Sequence, residues 1–176
     1  MKTIRIICLS TALLLVASCN SVQQKGSDFV TTVFGSEENY SIICTPTVPV
    51  IYKLKNIPWN KWFELEDGKL SRVKEYPVAA GPAMISTNEF GKLRKLITSK
   101  QSYDYSGDRI FCGFPHWDYM LTYYSANSRL DVCLCSYLGF VLMVKNGRAI
   151  AGGRISNIDA LKRAISDAAG HNLREE

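Results

Sequence analysis

The sequence predicts an α+β domain, an antiparallel β-sheet with two main helices packed on one face. Residues 117–151 form short apolar segments separated by turn residues, which is typical of antiparallel strands. Residues 86–99 and 156–170 have apolar side chains at helical intervals. Amphipathic helices beside a meandering sheet bury both apolar surfaces in one two-layer domain. The 176 residues contain no internal repeat and fit a single domain.

The first part of the domain is predicted to be extended. Residues 28–34 alternate weakly in polarity and predict a first strand, and residues 40–55 predict a second extended segment. Pro46 and Pro49 cannot donate a backbone hydrogen bond, so this segment should form a sheet edge or contain a bulge. Asp67-Gly68 predicts a β-hairpin, because both residues suit the positive φ angles of tight turns.

Residues 86–99 predict the first helix. Ser86 and Glu89 have the spacing of a capping box, in which each residue satisfies a backbone N–H of the other. The polar, tyrosine-rich residues 101–109 then predict a long loop. The apolar face of the helix is predicted to consist of Phe90, Leu93, Leu96 and Ile97.

The next part of the chain predicts three or four antiparallel strands. Asn127-Ser128 and Asn146-Gly147 predict turns, the second being a strong two-residue hairpin signal. Residues 132–144 are apolar almost throughout but too few to cross a bilayer as a helix, so they predict two central strands buried on both faces. The strands are predicted at about 117–124, 129–135, 138–144 and 148–151.

The last helix is predicted to start at Ser156, with Asp159 at the third helical position, and to stop at Gly170. Its apolar side chains recur on one face, which is expected to pack on the sheet. They are Ile158, Leu161, Ala164, Ile165 and Ala168.

The N-terminal segment predicts export. Lys2 and Arg5 precede an apolar run at residues 6–16, which is typical of a signal-peptide core and too short for a transmembrane helix. The run ends in Val16-Ala17-Ser18-Cys19, which resembles the lipobox of bacterial lipoproteins. The resemblance implies that residues 1–18 are removed and that Cys19 becomes an acylated first residue. Ordinary cleaved secretion is the alternative.

The same resemblance implies a location. In lipoproteins an aspartate after the lipidated cysteine tends to retain the protein in the inner membrane, and here that position is Asn20. An outer-membrane anchor facing the periplasm is therefore implied. Residues 19–27 are small and polar and predict a tether, which leaves residues 28–176 as the domain. Loss of Lys2 and Arg5 reduces the net charge from +5 to +3, too little to indicate a nucleic-acid partner.

Four cysteines remain once Cys8 is removed and Cys19 is acylated, and an even number in an exported chain predicts disulfides. Cys133 and Cys135 would share a strand face about 7 Å apart, at or beyond the limit for a bridge. Each is therefore expected to pair with Cys44 or Cys112.

A metal site is the alternative, because Cys112, His116, Cys133 and Cys135 form a ligand set that zinc accepts. A third possibility is that the thiols are partly reduced and that His116 acts as the base for a reactive cysteine. The C-x2-P-H and C-x-C pattern of these residues resembles a group of small bacterial lipoproteins, which implies no activity. The oxidising compartment favours disulfides over the metal.

Aromatic residues in the predicted loop suggest a binding surface formed by Tyr103, Tyr105, Phe114 and Trp117. The alternative is that these rings pack beneath the loop and cover the sheet. The sequence contains no G-x-S-x-G, P-loop, dinucleotide or H-E-x-x-H motif.

We therefore expect a non-catalytic lipoprotein without a cofactor, bound to the bilayer through Cys19. Its expected role is structural or the binding of an envelope protein or glycan, with immunity-type inhibition of an exported toxin as one form. A thiol- or metal-dependent enzyme, or a metal-binding protein, is the alternative.

Overall fold

The computed structural model describes residues 29–57, 61, 63–66, 69–73, 76–104, 116–125 and 128–173. Its helices are α1 (29–34), α2 (Glu37–Cys44), α3 (Thr87–Thr98) and α4 (Ile158–Ala169). Its strands are β1 (Val50–Leu54), β2 (Phe63–Glu66), β3 (Lys69–Val73), β4 (Val78–Met84), β5 (Tyr119–Tyr124), β6 (Arg129–Cys135), β7 (Phe140–Lys145) and β8 (Arg148–Arg154).

The predicted α+β class is confirmed. Six strands form one antiparallel sheet in the order β4-β1-β5-β6-β7-β8, and β2 and β3 form a separate pair. Short 3₁₀ turns follow α3 and α4, at Lys100–Ser102 and Gly170–Leu173. Among the residues that the structure describes, no helix is long and apolar enough to span a membrane.

The start of the domain is helical, so the strand predicted at residues 28–34 is wrong for 29–34. Phe29, Val30, Val33 and Phe34 are all buried, and their spacing matches one face of a helix rather than strand alternation. The next segment also forms a helix before it becomes extended. Ser36 caps α2, and its side-chain oxygen accepts a hydrogen bond from the backbone N–H of Asn39 at 3.2 Å.

Strand β1 begins directly after Pro49, so both prolines of this region lie outside the ladder. The strand is the second in the sheet, so of the two predicted alternatives, an edge position or a bulge, the edge position does not apply. The predicted irregularity is present, because the register with β4 shifts on both sides of Lys53. One edge strand of the sheet, β4, contains Gly81 and Pro82, and an edge position tolerates a residue without a backbone donor.

The predicted hairpins, the Ser86 cap and the end of the last helix are confirmed. Strands β2 and β3 pair across the predicted hairpin position, and Asn146 and Gly147 both have positive φ in the turn between β7 and β8. Helix α3 is capped by Ser86, whose hydroxyl accepts a hydrogen bond from the Glu89 N–H at 3.3 Å, as predicted. The Glu89 carboxylate accepts from the Ser86 hydroxyl at 2.6 Å, where the predicted capping box has the Ser86 backbone N–H as the donor. Helix α4 ends at Gly170, which also has positive φ.

The capping residue of helix α4 lies one position later than predicted. Its cap is Asn157 rather than Ser156, because the Asn157 side chain accepts a hydrogen bond from the Ala160 N–H at 2.9 Å. Asp159 is therefore the second helical residue and not the third.

The sheet separates two apolar layers. Alternate residues of β6, Leu130, Val132 and Leu134, pack with the helices. The residues between them, including Cys133 and Cys135, face the opposite layer. Six of the seven residues of β6 are buried, which confirms the prediction of a central strand covered on both faces.

Candidate functional site

A buried carboxylate lies on the sheet face that points away from the helices. Asp131 is fully buried, and it is the one charged side chain buried to this extent among the residues that the structure describes. Its Oδ1 accepts hydrogen bonds from Thr122 Oγ1 at 2.7 Å and from Arg129 Nε at 2.8 Å, and its Oδ2 accepts one from the Tyr76 hydroxyl. The backbone sets this arrangement, because Thr122 lies directly opposite Asp131 and Arg129 precedes it by two residues on the same face.

Arg129 is held above this carboxylate. Its guanidinium carbon lies 4.8 Å from the centre of the Tyr76 ring and 6.0 Å from that of Tyr124, and its Nη2 lies 4.0 Å from Met120 Sδ. Burial lowers the pKa of Arg129, but the hydrogen bond and charge of Asp131 outweigh it and raise the pKa. The side chain is 36% exposed, so a fixed and charged guanidinium reaches the surface.

Tyrosines surround the guanidinium. Tyr124 is 60% exposed, and Tyr52 and Tyr76 are half-buried. Burial and the neighbouring Tyr124 hydroxyl raise the pKa of Tyr52. Burial also raises the pKa of Tyr76, as do the nearby Cys133 and Asp131. The Tyr52 and Tyr76 hydroxyls therefore stay protonated. We call Tyr52, Tyr76, Tyr124 and Arg129 the tyrosine–arginine cluster.

The cluster has the composition of a binding surface. Tyr and Arg are enriched at protein interfaces and among the residues that dominate binding energy. A guanidinium whose Nε is engaged by an internal carboxylate can still donate from its terminal nitrogens to an incoming anionic oxygen.

The cysteines lie on two sides of the sheet. Cys133 and Cys135 share one face of β6, as predicted, and both are buried. Cys44 is exposed at the end of α2, in the helix layer. The sheet therefore separates Cys44 from the other two, which corrects the expectation that either could pair with it. No two of the described cysteines are bridged. Cys112 lies outside the described residues, and a bridge to it stays a prediction.

The two buried thiols are poorly suited to nucleophilic chemistry. Burial raises the pKa of Cys133 first, and the charge of Asp131 adds to the effect. Burial is also the main cause that raises the pKa of Cys135. Both thiols are therefore held protonated, whereas the thiolate is the nucleophile. His116 is exposed.

Within the described ranges, no group of three or more His, Cys, Asp or Glu side chains is placed to hold a metal. The zinc set that includes Cys112 remains a prediction, because that residue lies outside these ranges.

The predicted aromatic surface is divided by the sheet. Tyr103 is 6% exposed, and its hydroxyl donates to the Ile97 carbonyl at 2.7 Å in the helix layer. Trp117 is 4% exposed and lies in the opposite layer. These two rings are therefore interior residues and do not form one exposed surface. Tyr105 and Phe114 lie outside the described residues.

Sequence reasoning missed the tyrosine–arginine cluster, although one signal could have revealed part of it. Asp131 is a lone acid within the apolar segment Leu130–Cys135, and a carboxylate in a buried strand requires hydrogen-bond donors. Its neighbour Arg129 was a candidate donor. The partner Tyr76 is 55 residues away, and no spacing pattern connects the two.

Comparison with known proteins finds no matching family model, no similar curated protein and no similar solved structure.

Proposed function

We propose that this chain is a lipid-anchored protein of the bacterial envelope whose domain binds another protein through the tyrosine–arginine cluster. The lipobox at residues 16–19 supports acylation of Cys19, and Asn20 supports an outer-membrane anchor that faces the periplasm. The observation that carries the binding role is the partly exposed Arg129, fixed between two tyrosine rings above the buried Asp131.

The fixed geometry favours recognition. A buried ion pair contributes little net stability compared with apolar residues of the same size, so stability alone is a weak reason for Asp131. Holding Arg129 in one orientation lowers the conformational entropy lost on binding. The exposed ring of Tyr124 adds a large contact area with few rotatable bonds.

The same geometry suggests the chemistry of the partner. The terminal nitrogens of Arg129 suit a carboxylate, and the adjacent Tyr124 ring suits an apolar side chain. We therefore propose a protein partner that presents Asp or Glu beside an apolar residue. Immunity-type inhibition of an exported toxin is one form of this function.

Site-specific photo-crosslinking in cells tests the proposal. A photoreactive phenylalanine at Tyr124 of the full-length protein is expected to form a defined adduct with one envelope protein. The matched control is the same substitution at Tyr137, which is 73% exposed at the other end of the sheet. Arg129→Lys keeps the positive charge but replaces the planar guanidinium, which can donate two parallel hydrogen bonds to a carboxylate, so it should abolish the adduct. The melting temperature of this variant shows whether the domain remains folded. Identical adducts at both positions, or an adduct that persists in Arg129→Lys, would contradict the proposal.

The alternative is an enzyme or a metal-binding protein that uses Cys112, His116, Cys133 and Cys135, and the burial of Cys133 and Cys135 does not favour a nucleophilic role for them. Thiol labelling of the mature protein, combined with native mass spectrometry, separates the two functions. Protection of Cys112, Cys133 and Cys135 without bound metal would exclude the alternative.

A further inference from the structure

The turn between β6 and β7 presents an exposed aromatic residue with basic neighbours. Tyr137 is 73% exposed in this turn, and Lys162 Nζ lies 5.6 Å from the centre of its ring. Nearby, the guanidinium carbon of Arg154 lies 5.9 Å from the ring centre of Phe140, the first residue of β7. An exposed tyrosine beside a lysine is typical of side chains at a membrane–water interface.

The chain enters the domain at the same end of the sheet. The ring of Phe29, the first described residue, lies 5.5 Å from that of Tyr103, which forms a β-bridge with Ile155. The Ile155 N–H in turn donates to the carbonyl of Gly139, in the turn that carries Tyr137, at 2.7 Å. We call this the tether end of the sheet.

The tyrosine–arginine cluster lies at the other end. Strand β6 begins at Arg129 and ends at Cys135, directly before the turn of Tyr137. At the usual rise per residue, these two ends of the strand are separated by about 20 Å.

The predicted tether limits how far the domain can move from its lipid. Residues 19–27 are nine residues and span at most about 30 Å even when fully extended. Because the chain enters the domain at the tether end, acyl chains on Cys19 would favour orientations in which this end, rather than the cluster, faces the bilayer.

We infer that the tether end docks on the anionic surface of the bilayer, with Tyr137 at headgroup depth and with Lys162 against lipid phosphates. This inference rests on the lipid anchor of the proposed function. Two exposed acids, Asp104 and Asp159, lie at the same end and offset the charges of Lys162 and Arg154. The docking element is therefore the Tyr137 ring with Lys162 beside it. In this orientation the tyrosine–arginine cluster points away from the membrane, toward a partner in the periplasm.

Depth-dependent fluorescence quenching tests the orientation. The full-length lipoprotein is reconstituted into vesicles of phosphatidylethanolamine and phosphatidylglycerol that contain a brominated lipid. Tyr137→Trp and its matched control Tyr124→Trp are each compared with the parent protein, which has three tryptophans of its own. The added emission is expected to be quenched several-fold more strongly at position 137 than at position 124.

A charge variant tests the electrostatic part. In the Tyr137→Trp background, Lys162→Gln removes one positive charge and should lower the ratio of docked to undocked protein about fivefold in anionic vesicles. Vesicles of zwitterionic lipid alone should reduce the quenching in the same direction. Circular dichroism confirms that both exposed substitutions leave the fold intact.

Mass spectrometry of the N-terminal peptide detects acyl chains on Cys19, and it therefore distinguishes failure of the docking inference from failure of the lipid anchor. If Cys19 carries acyl chains but position 137 is quenched no more than position 124, the docking inference is wrong and the anchor stands. Quenching that is insensitive to both Lys162→Gln and lipid charge overturns the electrostatic contact. Absence of acyl chains on Cys19 overturns the anchor and the docking together.

Discussion

Replacing Asp131 with alanine is expected to lower the free energy of unfolding by about 3 kcal/mol. The fully buried carboxylate accepts hydrogen bonds from Thr122, Tyr76 and Arg129, and all three donors would lose their partner. Removing one member of a buried ion pair costs about 3–5 kcal/mol. Because the Arg129 side chain is 36% exposed and can regain water, the lower end of that range applies.

Two variants separate the charge from the hydrogen bonds. Asp131→Asn keeps the size and one acceptor oxygen, so it should lose less stability than the alanine variant. Thr122→Val removes a single donor to Oδ1 and should cost about 1 kcal/mol.

Urea unfolding near neutral pH, followed by far-ultraviolet circular dichroism, measures these differences. The alanine variant should have a lower midpoint than both comparison variants, with an unchanged slope. A loss no larger than that of Thr122→Val would refute the argument that Asp131 organises this face of the sheet.

Three further predictions follow from burial and backbone geometry. A thiol reagent should modify the exposed Cys44 in the folded protein but reach the buried Cys133 only after unfolding, which peptide mass spectrometry resolves. Burial raises the pKa of Cys133 above its ordinary value of 9.0, so above that pH the unfolded chain loses this proton first. The free energy of unfolding should then fall by about 1.4 kcal/mol per pH unit for this group, and urea unfolding of Cys133→Ala between pH 9 and pH 11 should lack that component. Gly139 and Gly147 both have positive φ, but a Cβ at Gly139 would lie 2.5 Å from the Ile155 carbonyl oxygen, whereas a Cβ at Gly147 meets no atom within 4 Å. Alanine at Gly147 should cost about 1–2 kcal/mol from backbone strain, and alanine at Gly139 should cost clearly more; equal melting temperatures would contradict this contact.

The sequence was most informative where structure depends on near neighbours. The Ser86 cap, the Asn146-Gly147 turn and the end of α4 at Gly170 were all predicted, because capping and turn chemistry involve residues within a few positions of each other. The buried nature of β6 was also evident from its apolar composition.

The errors arose where tertiary packing selects between local alternatives. Residues 29–34 carry an ambiguous apolar pattern, and contacts with Tyr103 and with Gly153 of β8 accompany the helical form. Residues 40–44 were predicted to be extended, but they belong to α2.

The sequence by itself determined the α+β class, the Ser86 cap of α3 and the tight turn at Asn146-Gly147. The export signal at the N-terminus stays a prediction. Only the tertiary structure decided which side chains meet. It placed Cys44 and Cys133 on opposite sides of the sheet, and it brought Tyr76 to Asp131 across 55 residues of chain. The physical reason is that strand alternation fixes two faces, whereas strand order fixes the neighbours on each face. Strand order depends on packing over the whole domain and leaves no local pattern in the sequence.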